Sequence, residues 1–369
     1  MSTKPAFLED SKAPAATDSG TASLCCQHCG TSVSSRNKLF KHISVCTEKH
    51  RKELKAVGVR EIEDALGAAD TADVYLYVTG GRHRGKTLGS TEKFSFRKQC
   101  WTPCSSMLDN RGSHGCATSG AHVYAMGGGG FKSNLATCER CDVTTGVWTQ
   151  VAPMITLSHA LTVISCTDNI YCLGGWIDGS ICSSNLERYN VASNTWVSLQ
   201  NMNTPRRLAG ATECGGDLFI FGGNISDGNH LSTDVVTNGW YTASAERYDV
   251  AENVWTQIRD MPCRGPASAA TVGSNIYVFI HGKAVYRLTP SASRGTSSND
   301  YVKLADLPEH QWFSFDVSSF GRRIFLVGGS IDGAWSTKSW IFDTMTCSFT
   351  EMPSMLTPRR RCAAATIER

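Results

Sequence analysis

One apolar pattern recurs along the chain, a short run of aliphatic and aromatic residues that ends in glycine. Such runs, rich in β-branched and aromatic residues and closed by a turn former, predict β-strands. Successive copies lie 47 or 48 residues apart, apart from one interval of 59. The copies are VYLYVTGG at 74–81, VYAMGG at 123–128, IYCLGG at 170–175, LFIFGG at 218–223, IYVFIHG at 276–282 and IFLVGG at 324–329. A fixed period of this length predicts a repeat architecture.

A large aromatic residue forms a second repeated position, about 20 residues after most of the glycine pairs. A further strand-like run, such as AERYDV from Ala245, precedes it, and an alanine-rich stretch follows it. The aromatic positions are Trp101, Trp148, Trp196, Trp255, Tyr301 and Phe349. Each module therefore supplies about four strands, and one such sheet cannot bury both of its faces alone. Six sheets arranged radially bury each other's faces, with the aromatic residue filling the gap between neighbours.

The period, the double glycine and the spaced tryptophan together resemble the Kelch family. The resemblance implies an all-β fold over residues 71–369, a six-bladed Kelch-type β-propeller. Module five departs from the pattern at His281 and Tyr301, and module six departs at Phe349. The first module lacks its alanine-rich strand, whereas the chain ends with one, CAAATI at 362–367. We therefore predict that the C-terminal strand completes blade one and closes the ring, as is common in Kelch proteins.

Residues 25–46 have the ligand spacing of a small ββα zinc finger of the C2HC type. A C-x2-C pair precedes a His and a Cys that lie one helical turn apart, so that all four can face one ion. The predicted ligands of a single structural Zn²⁺ are Cys26, Cys29, His42 and Cys46. A domain of this size depends on the metal for its folding energy. The alternatives are a Cys-rich tail without metal, or replacement of a ligand by Cys25, His28 or His50.

The basic charge of the chain is concentrated around this finger. Residues 24–60 contain eight Lys or Arg against two Glu, whereas the whole chain carries a formal charge of only +3. Such a basic segment can bind nucleic acid or an acidic protein surface. An equal alternative is a helix whose charges are simply solvated. By resemblance to DNA-reading fingers, base-facing positions include Asn37, Lys38 and Lys41, although a lone finger reads only about 3 bp. We interpret residues 47–70 as a helical linker and residues 1–24 as a disordered tail.

Composition and motifs narrow the function further. No apolar run reaches the roughly 18 residues that span a membrane, and no signal peptide begins the chain, so we expect a cytoplasmic or nuclear protein. Its 16 Cys should then be reduced, buried or metal-bound. Cys138 and Cys141 fall on opposite faces of a predicted strand, which favours a structural role. No Walker loop, nucleophile elbow or H-E-x-x-H motif occurs, so we expect neither an enzyme nor a small-molecule substrate.

Arginines are frequent in the loops that enter the predicted innermost strands. By resemblance to Kelch adaptors, they ring the mouth of the channel and bind an acidic protein segment, since Arg pairs with carboxylates bidentately. The candidates are Arg82, Arg111, Arg207, Arg264 and Arg360, with Trp176 and Trp335 as aromatic anchors. The alternative for each residue is that the arginines cap sheets and the tryptophans cover loop backbone. The favoured hypothesis is a non-enzymatic adaptor whose finger contacts a second partner. The alternative is a nucleic-acid-associated factor acting through the finger and the basic helix.

Overall fold

The computed structural model describes residues 24–25, 32–33, 74–129, 133–177, 181–225, 240–290 and 300–368. The chain divides into two units, Met1–Thr71 and Ala72–Arg369. In the first unit, strands Leu24–Cys25 and Ser32–Val33 pair antiparallel. The predicted tail up to residue 23, the linker helix and the helical part of the finger lie outside the described residues.

Among the described residues, the second unit contains six antiparallel four-stranded sheets, numbered here as sheets 1 to 6. Sheet 1 contains Ala363–Glu368, Val74–Thr79, Thr91–Ser95 and Cys100–Cys104; sheet 2 contains Gly115–Ser119, His122–Met126, Cys138–Asp142 and Val147–Val151; sheet 3 contains Thr162–Cys166, Asn169–Leu173, Leu186–Asn190 and Thr195–Ser198. Sheet 4 contains Gly210–Cys214, Asp217–Phe221, Ala245–Asp249 and Val254–Ile258; sheet 5 contains Ala267–Val272, Asn275–Ile280, Ala284–Leu288 and Val302–Asp306; sheet 6 contains Asp316–Phe320, Arg323–Val327, Ser339–Asp343 and Ser348–Glu351.

Shorter strands form hairpins in the loops after three of the glycine pairs, and one of these hairpins also pairs with a strand of the loop that enters sheet 6. They are Arg82–His83 with Lys86–Thr87, Trp176–Ile177 with Ile181–Cys182, and Trp312–Phe313 with Ser330–Ile331 and Ala334–Trp335. The described part of the chain contains strands and turns but no helix, and so no helix long and apolar enough to cross a membrane.

The two ends of the second unit meet in sheet 1. Ala363–Glu368 pairs antiparallel with Val74–Thr79, and Tyr77 lies opposite Ala365. The first strands of the sheets also contact one another in a cycle, from sheet 1 through sheet 6 and back to sheet 1. At the sheet 6 to sheet 1 contact, the Ala364 amide donates to the Asp316 carboxylate at 2.8 Å.

The repeated aromatic residue joins each of sheets 1 to 5 to the sheet before it by a hydrogen bond. The indole of Trp101 donates to the Pro353 carbonyl at 2.8 Å, and that of Trp148 donates to the Ser105 carbonyl at 3.1 Å. Equivalent bonds run from Trp196 to Ala152 and from Trp255 to Gln200, both at 2.8 Å, and from the Tyr301 hydroxyl to Arg259 at 3.1 Å. The predicted packing role of this position between neighbouring sheets is therefore seen in the contacts.

Glycine is required at the pairs because another loop approaches them closely. Gly80 has a φ of +54°, and a β-carbon there would lie 2.3 Å from the Arg111 carbonyl oxygen. Its neighbour Gly81 donates its amide to that same oxygen at 2.9 Å. Since only glycine tolerates both the positive φ and the contact, the pair locks the end of the second strand against the loop that enters the next sheet.

Candidate binding site at the mouth of the central cavity

The first strands of the sheets surround a cavity of about 1350 Å³. At one end its wall includes residues that directly follow the glycine positions, among them Trp176, Asn224 and Lys283. We call this end the mouth. The loops that enter the first strands all arrive there, so their side chains determine what the mouth can bind.

A chain of backbone hydrogen bonds runs around the mouth. One residue from each entering loop contributes: Ser113, Ala160, Leu208, Ala267, Ser314 and Arg361. In five of these six residues, the backbone amide donates to the carbonyl of the equivalent residue in the preceding loop, at 2.7 to 3.4 Å. At the sixth, the Ser314 amide donates instead to Nδ1 of His281 at 3.2 Å.

Three arginines of the entering loops are buried structural residues. Arg111, Arg206 and Arg359 are at most 1% exposed, and each pairs with one buried glutamate at 2.6 Å. The partners are Glu139, Glu246 and Glu92, respectively. Each guanidinium also donates to the carbonyl of the first glycine of a pair, at 2.8 or 2.9 Å. The placement of Arg111 at the binding surface is therefore wrong, because the side chain caps a sheet instead of facing the cavity.

The other three entering loops lack this arginine. Ser158 takes its place in sheet 3, where Glu187 still accepts the Ile155 and Thr156 amides, both at 3.0 Å. Trp312 takes the place in sheet 6 and donates to the Gly328 carbonyl at 2.7 Å. Trp312 is fully buried. It is therefore no interface anchor, although the sequence places it in a loop.

Four further arginines, Arg82, Arg207, Arg360 and Arg361, form what we call the arginine cluster. None of them pairs with a carboxylate within the described ranges, unlike the structural arginines beside them. Arg82 and Arg360 exchange backbone hydrogen bonds at 2.9 and 3.2 Å. The buried Nε–H groups of Arg82, Arg360 and Arg361 have no hydrogen-bond partner in the described part of the chain.

Burial and neighbouring positive charge act on two titratable groups of this region, Arg361 and His159. The pKa of Arg361 is lowered to about 10, mainly by burial and additionally by the charges of Arg360, Arg82 and Arg207. Burial likewise lowers the pKa of His159 to about 4, helped by Arg361, Arg207 and Arg82. His159 is therefore neutral at physiological pH, and the positive charge of this region belongs to the arginines.

Both predicted tryptophan anchors lie against members of the cluster. The guanidinium carbon of Arg207 lies 3.4 Å from the Trp176 ring centroid, and that of Arg360 lies 5.8 Å from the Trp335 centroid. On Trp176 the His159 ring also stacks, at 6.1 Å with an interplanar angle of 18°. The two tryptophans are partly buried. These contacts hold the guanidinium groups in place, since an arginine over an indole face is attracted to it.

The remaining predicted residues fall into three places. Arg264 is exposed on the wall of the mouth, where its carbonyl accepts a bond from Lys283 Nζ at 2.9 Å. Cys138 and Cys141 are buried in separate apolar clusters, and burial raises the pKa of each thiol to about 11. The predicted zinc ligands Cys26, Cys29, His42 and Cys46, and the tentative nucleic-acid positions Asn37, Lys38 and Lys41, lie outside the described residues.

A serine and a histidine of the cavity wall are in hydrogen-bond contact. Ser268 Oγ lies 2.9 Å from Nε2 of His281, and burial lowers the pKa of this histidine to about 3. Because Nδ1 accepts the Ser314 amide, the hydrogen-bond pattern assigns the ring proton to Nε2, which donates to the serine. A general base needs its lone pair at that position, so this pair is not arranged to activate the serine.

Comparison with known proteins identifies the repeat. Residues 70–108, 110–155 and 159–203 match the Kelch motif. The chain is 28% identical over 216 residues to Kelch-like protein 25 of Xenopus tropicalis, covering 55% of this chain and 34% of that protein. It is 26% identical over 267 residues to human Kelch repeat and BTB domain-containing protein 2, covering 66% of this chain and 42% of that protein. These matches confirm the predicted Kelch repeats within residues 70–203, and the chain spans less than half the length of these relatives.

A solved structure supports the architecture. The structure titled "Structure of YjhT" superposes with a TM-score of 0.57 at 14% sequence identity, covering 71% of this chain and 89% of that one. At this identity the likeness concerns the fold alone. It agrees with the predicted all-β, propeller-like arrangement.

Proposed function

Because the chain carries Kelch repeats, we propose that it is a non-enzymatic interaction protein whose mouth holds an acidic segment of a protein partner. One observation carries the proposal: four arginines at the mouth have no carboxylate partner within the described residues, although three neighbouring arginines each have one. Carboxylates of a partner would supply what these groups lack, as bidentate charge-assisted hydrogen bonds. The tryptophans beside Arg207 and Arg360 add the aromatic surface typical of interface anchors.

We further propose that the six sheets are the blades of a closed propeller. The pairing of Ala363–Glu368 with Val74–Thr79 supports closure, since it joins the two ends of the unit. So does the chain of amide–carbonyl bonds around the mouth, which includes the step from Ser113 to Arg361. In a closed ring the arginines are held by a rigid frame, which lowers the entropic cost of binding an extended peptide.

For the first unit we propose a C2HC finger that holds one zinc ion and contacts a second partner. The hairpin of Leu24–Cys25 and Ser32–Val33 lies where the two strands of such a finger are expected. The excess of Lys and Arg in residues 24–60 supports nucleic acid as the alternative partner. Capture that disappears on nuclease treatment would favour this alternative.

The test is capture of partners by the tagged full chain from its own cells, with and without nuclease. Reversing two charges of the cluster, Arg207→Glu with Arg360→Glu, should remove most captured protein because the acidic segment would then be repelled. Arg97→Glu is the matched control, since Arg97 is exposed on the hairpin at the far end of sheet 1. Equal melting temperatures would show that all variants are folded. Capture that survives the double reversal would overturn the proposal.

A further inference from the structure

The arginine cluster differs in composition from the sites where this protein binds its own carboxylates. Glu246 is satisfied by one arginine and two backbone amides: Arg206 at 2.6 Å, and the Asn203 and Thr204 amides at 2.8 and 3.1 Å. Glu139 and Glu92 are also held by a single arginine each. Each of these three buried glutamates is therefore satisfied by a single guanidinium together with backbone amides.

Four arginines lie around the mouth without a carboxylate from the described residues. Burial, and after it the charges of Arg360, Arg82 and Arg207, lower the pKa of Arg361 to about 10, so Arg361 lies within range of like charges. A single carboxylate would leave most of that repulsion in place. A compact ligand with two negative charges would relieve more of it, because its charge acts on several arginines at short range.

The four arginines belong to three different loops. The unpartnered Nε–H groups belong to Arg82 and Arg360, on two loops joined by backbone hydrogen bonds, and to Arg361, which lies in the chain of bonds around the mouth. Arg207 approaches from another sheet, held by the Asn224 side chain at 3.2 Å and by Trp176. A planar carboxylate matches one guanidinium fork, whereas a tetrahedral phosphate accepts hydrogen bonds from several sides.

Resting on the proposed function, we infer that the mouth is a phosphate site, and that the partner segment enters it with a phosphorylated side chain. The phosphate group lies among Arg82, Arg207, Arg360 and Arg361, and Trp176 and Trp335 flank it. A phosphate monoester carries about −1.5 to −2 charge at pH 7 and three strong acceptor oxygens, which suits this set of donors. The same chemistry would admit a free phosphorylated small molecule, so the experiment separates the two sources.

The experiment is calorimetric titration of the full chain with three probes at equal ionic strength. The first probe is a capped alanine peptide with one phosphoserine, the second is the same peptide with two adjacent glutamates, and the third is inorganic phosphate. The phosphoserine peptide should bind at least tenfold more tightly than the diglutamate peptide, although both carry about two charges. Inorganic phosphate that binds as tightly as the phosphopeptide would point to a free phosphorylated ligand, and weaker binding to a side chain on a partner. Both results support the phosphate site.

Variants test whether the cluster is responsible. Arg361→Gln and, separately, Arg207→Gln should weaken phosphopeptide binding at least fivefold, whereas Arg97→Gln should leave it unchanged. Two variants are used because residue 361 has a φ of +54° and its replacement can affect folding, which the melting temperature reports. Diglutamate binding equal to or tighter than phosphopeptide binding, but lost in Arg207→Gln, would overturn the phosphate site and leave the proposed function standing. Binding of either peptide that is unaffected by both variants would overturn the two together.

Discussion

Neutralising one buried glutamate tests how much the structural arginines contribute to stability. In sheet 4, Arg206 and Glu246 are both buried, and the guanidinium also donates to the Gly222 and Ser244 carbonyls at 2.9 and 2.8 Å. Glu246→Gln keeps the shape of the side chain but removes the negative charge. Arg206 is then a buried cation without a counter-charge, and burial already lowers its pKa.

The expected cost follows from the burial of this pair. Breaking a buried ion pair by removing one partner costs about 3–5 kcal/mol, because the remaining charge is uncompensated. For a unit of roughly 300 residues, this free energy corresponds to a fall in melting temperature of about 5–8 °C.

Sheet 3 provides an internal control for the same substitution. There Glu187 lies at the position of Glu246, but Ser158 replaces the arginine, and burial raises the pKa of Glu187. Glu187→Gln therefore leaves no cation behind. The glutamine can accept only one of the two bonds from the Ile155 and Thr156 amides, and losing the other costs about 1–2 kcal/mol. The substitution also removes the cost of burying a charge.

Differential scanning calorimetry at pH 7 measures both variants. We expect Glu246→Gln to lower the melting temperature by several degrees more than Glu187→Gln. The double variant Arg206→Ser with Glu246→Gln should cost less than the sum of its two single changes, because no charge is then left unpaired. Equal shifts for the two glutamine variants would refute the reasoning, since they would show that the arginine pairing has no special weight.

Two other predictions concern pH and metal. Burial raises the pKa of Asp316 to about 6. The folded state therefore holds this proton more tightly than the unfolded state. As a result, the contribution of Asp316 to stability falls as the pH rises from about 4 through 6. Asp316→Asn should therefore raise the free energy of unfolding at pH 7 by at most about 3 kcal/mol and should alter it little at pH 4. Melting curves that shift equally at both pH values would contradict the raised pKa of Asp316. The full chain should retain about one zinc ion after extensive dialysis, measured by atomic emission, and Cys29→Ser should lose it. Zinc content unaffected by that substitution would exclude the proposed ligand set.

The sequence predicts the strands well because their pattern is local. The glycine pairs and the tryptophans mark each module, and the bonds from Trp101 and Trp148 to the preceding sheet agree with the role predicted for them. The C-terminal alanine-rich strand is also found where the missing strand of the first module was expected. These features depend on residue type and spacing, both of which are visible in one sequence.

The roles of individual arginines are harder to predict, because neighbours in one loop have opposite environments. In the loops that read T-P-R-R, the first arginine is buried against a glutamate, and the second lies at the mouth. Arg111 is followed by glycine and occupies the first of these positions, which explains the wrong prediction. The sequence contains one signal for the buried arginine, which is the glutamate in the third strand of the module, as in AERYDV. A buried carboxylate needs a cation, so this glutamate predicts a buried arginine partner. For Arg359, however, that partner is Glu92 at the other end of the unit, which only the pairing of the chain ends brings near.

The distribution of the T-P-R-R loops bears on how a ligand crosses the mouth. They occur at 204–207 and 357–360, where they lead into sheets 4 and 1, three modules apart. In the proposed six-bladed ring these positions lie on opposite sides, and each presents an arginine beside a tryptophan, Arg207 with Trp176 and Arg360 with Trp335. Arg361 replaces the small or apolar residues of the other loops, and the charge of Arg207 is among those that lower the pKa of Arg361, after burial, Arg360 and Arg82. Because the two arginine–tryptophan pairs lie on opposite sides of the proposed ring and Arg361 also lines the cavity, the arrangement favours an extended segment that spans the mouth.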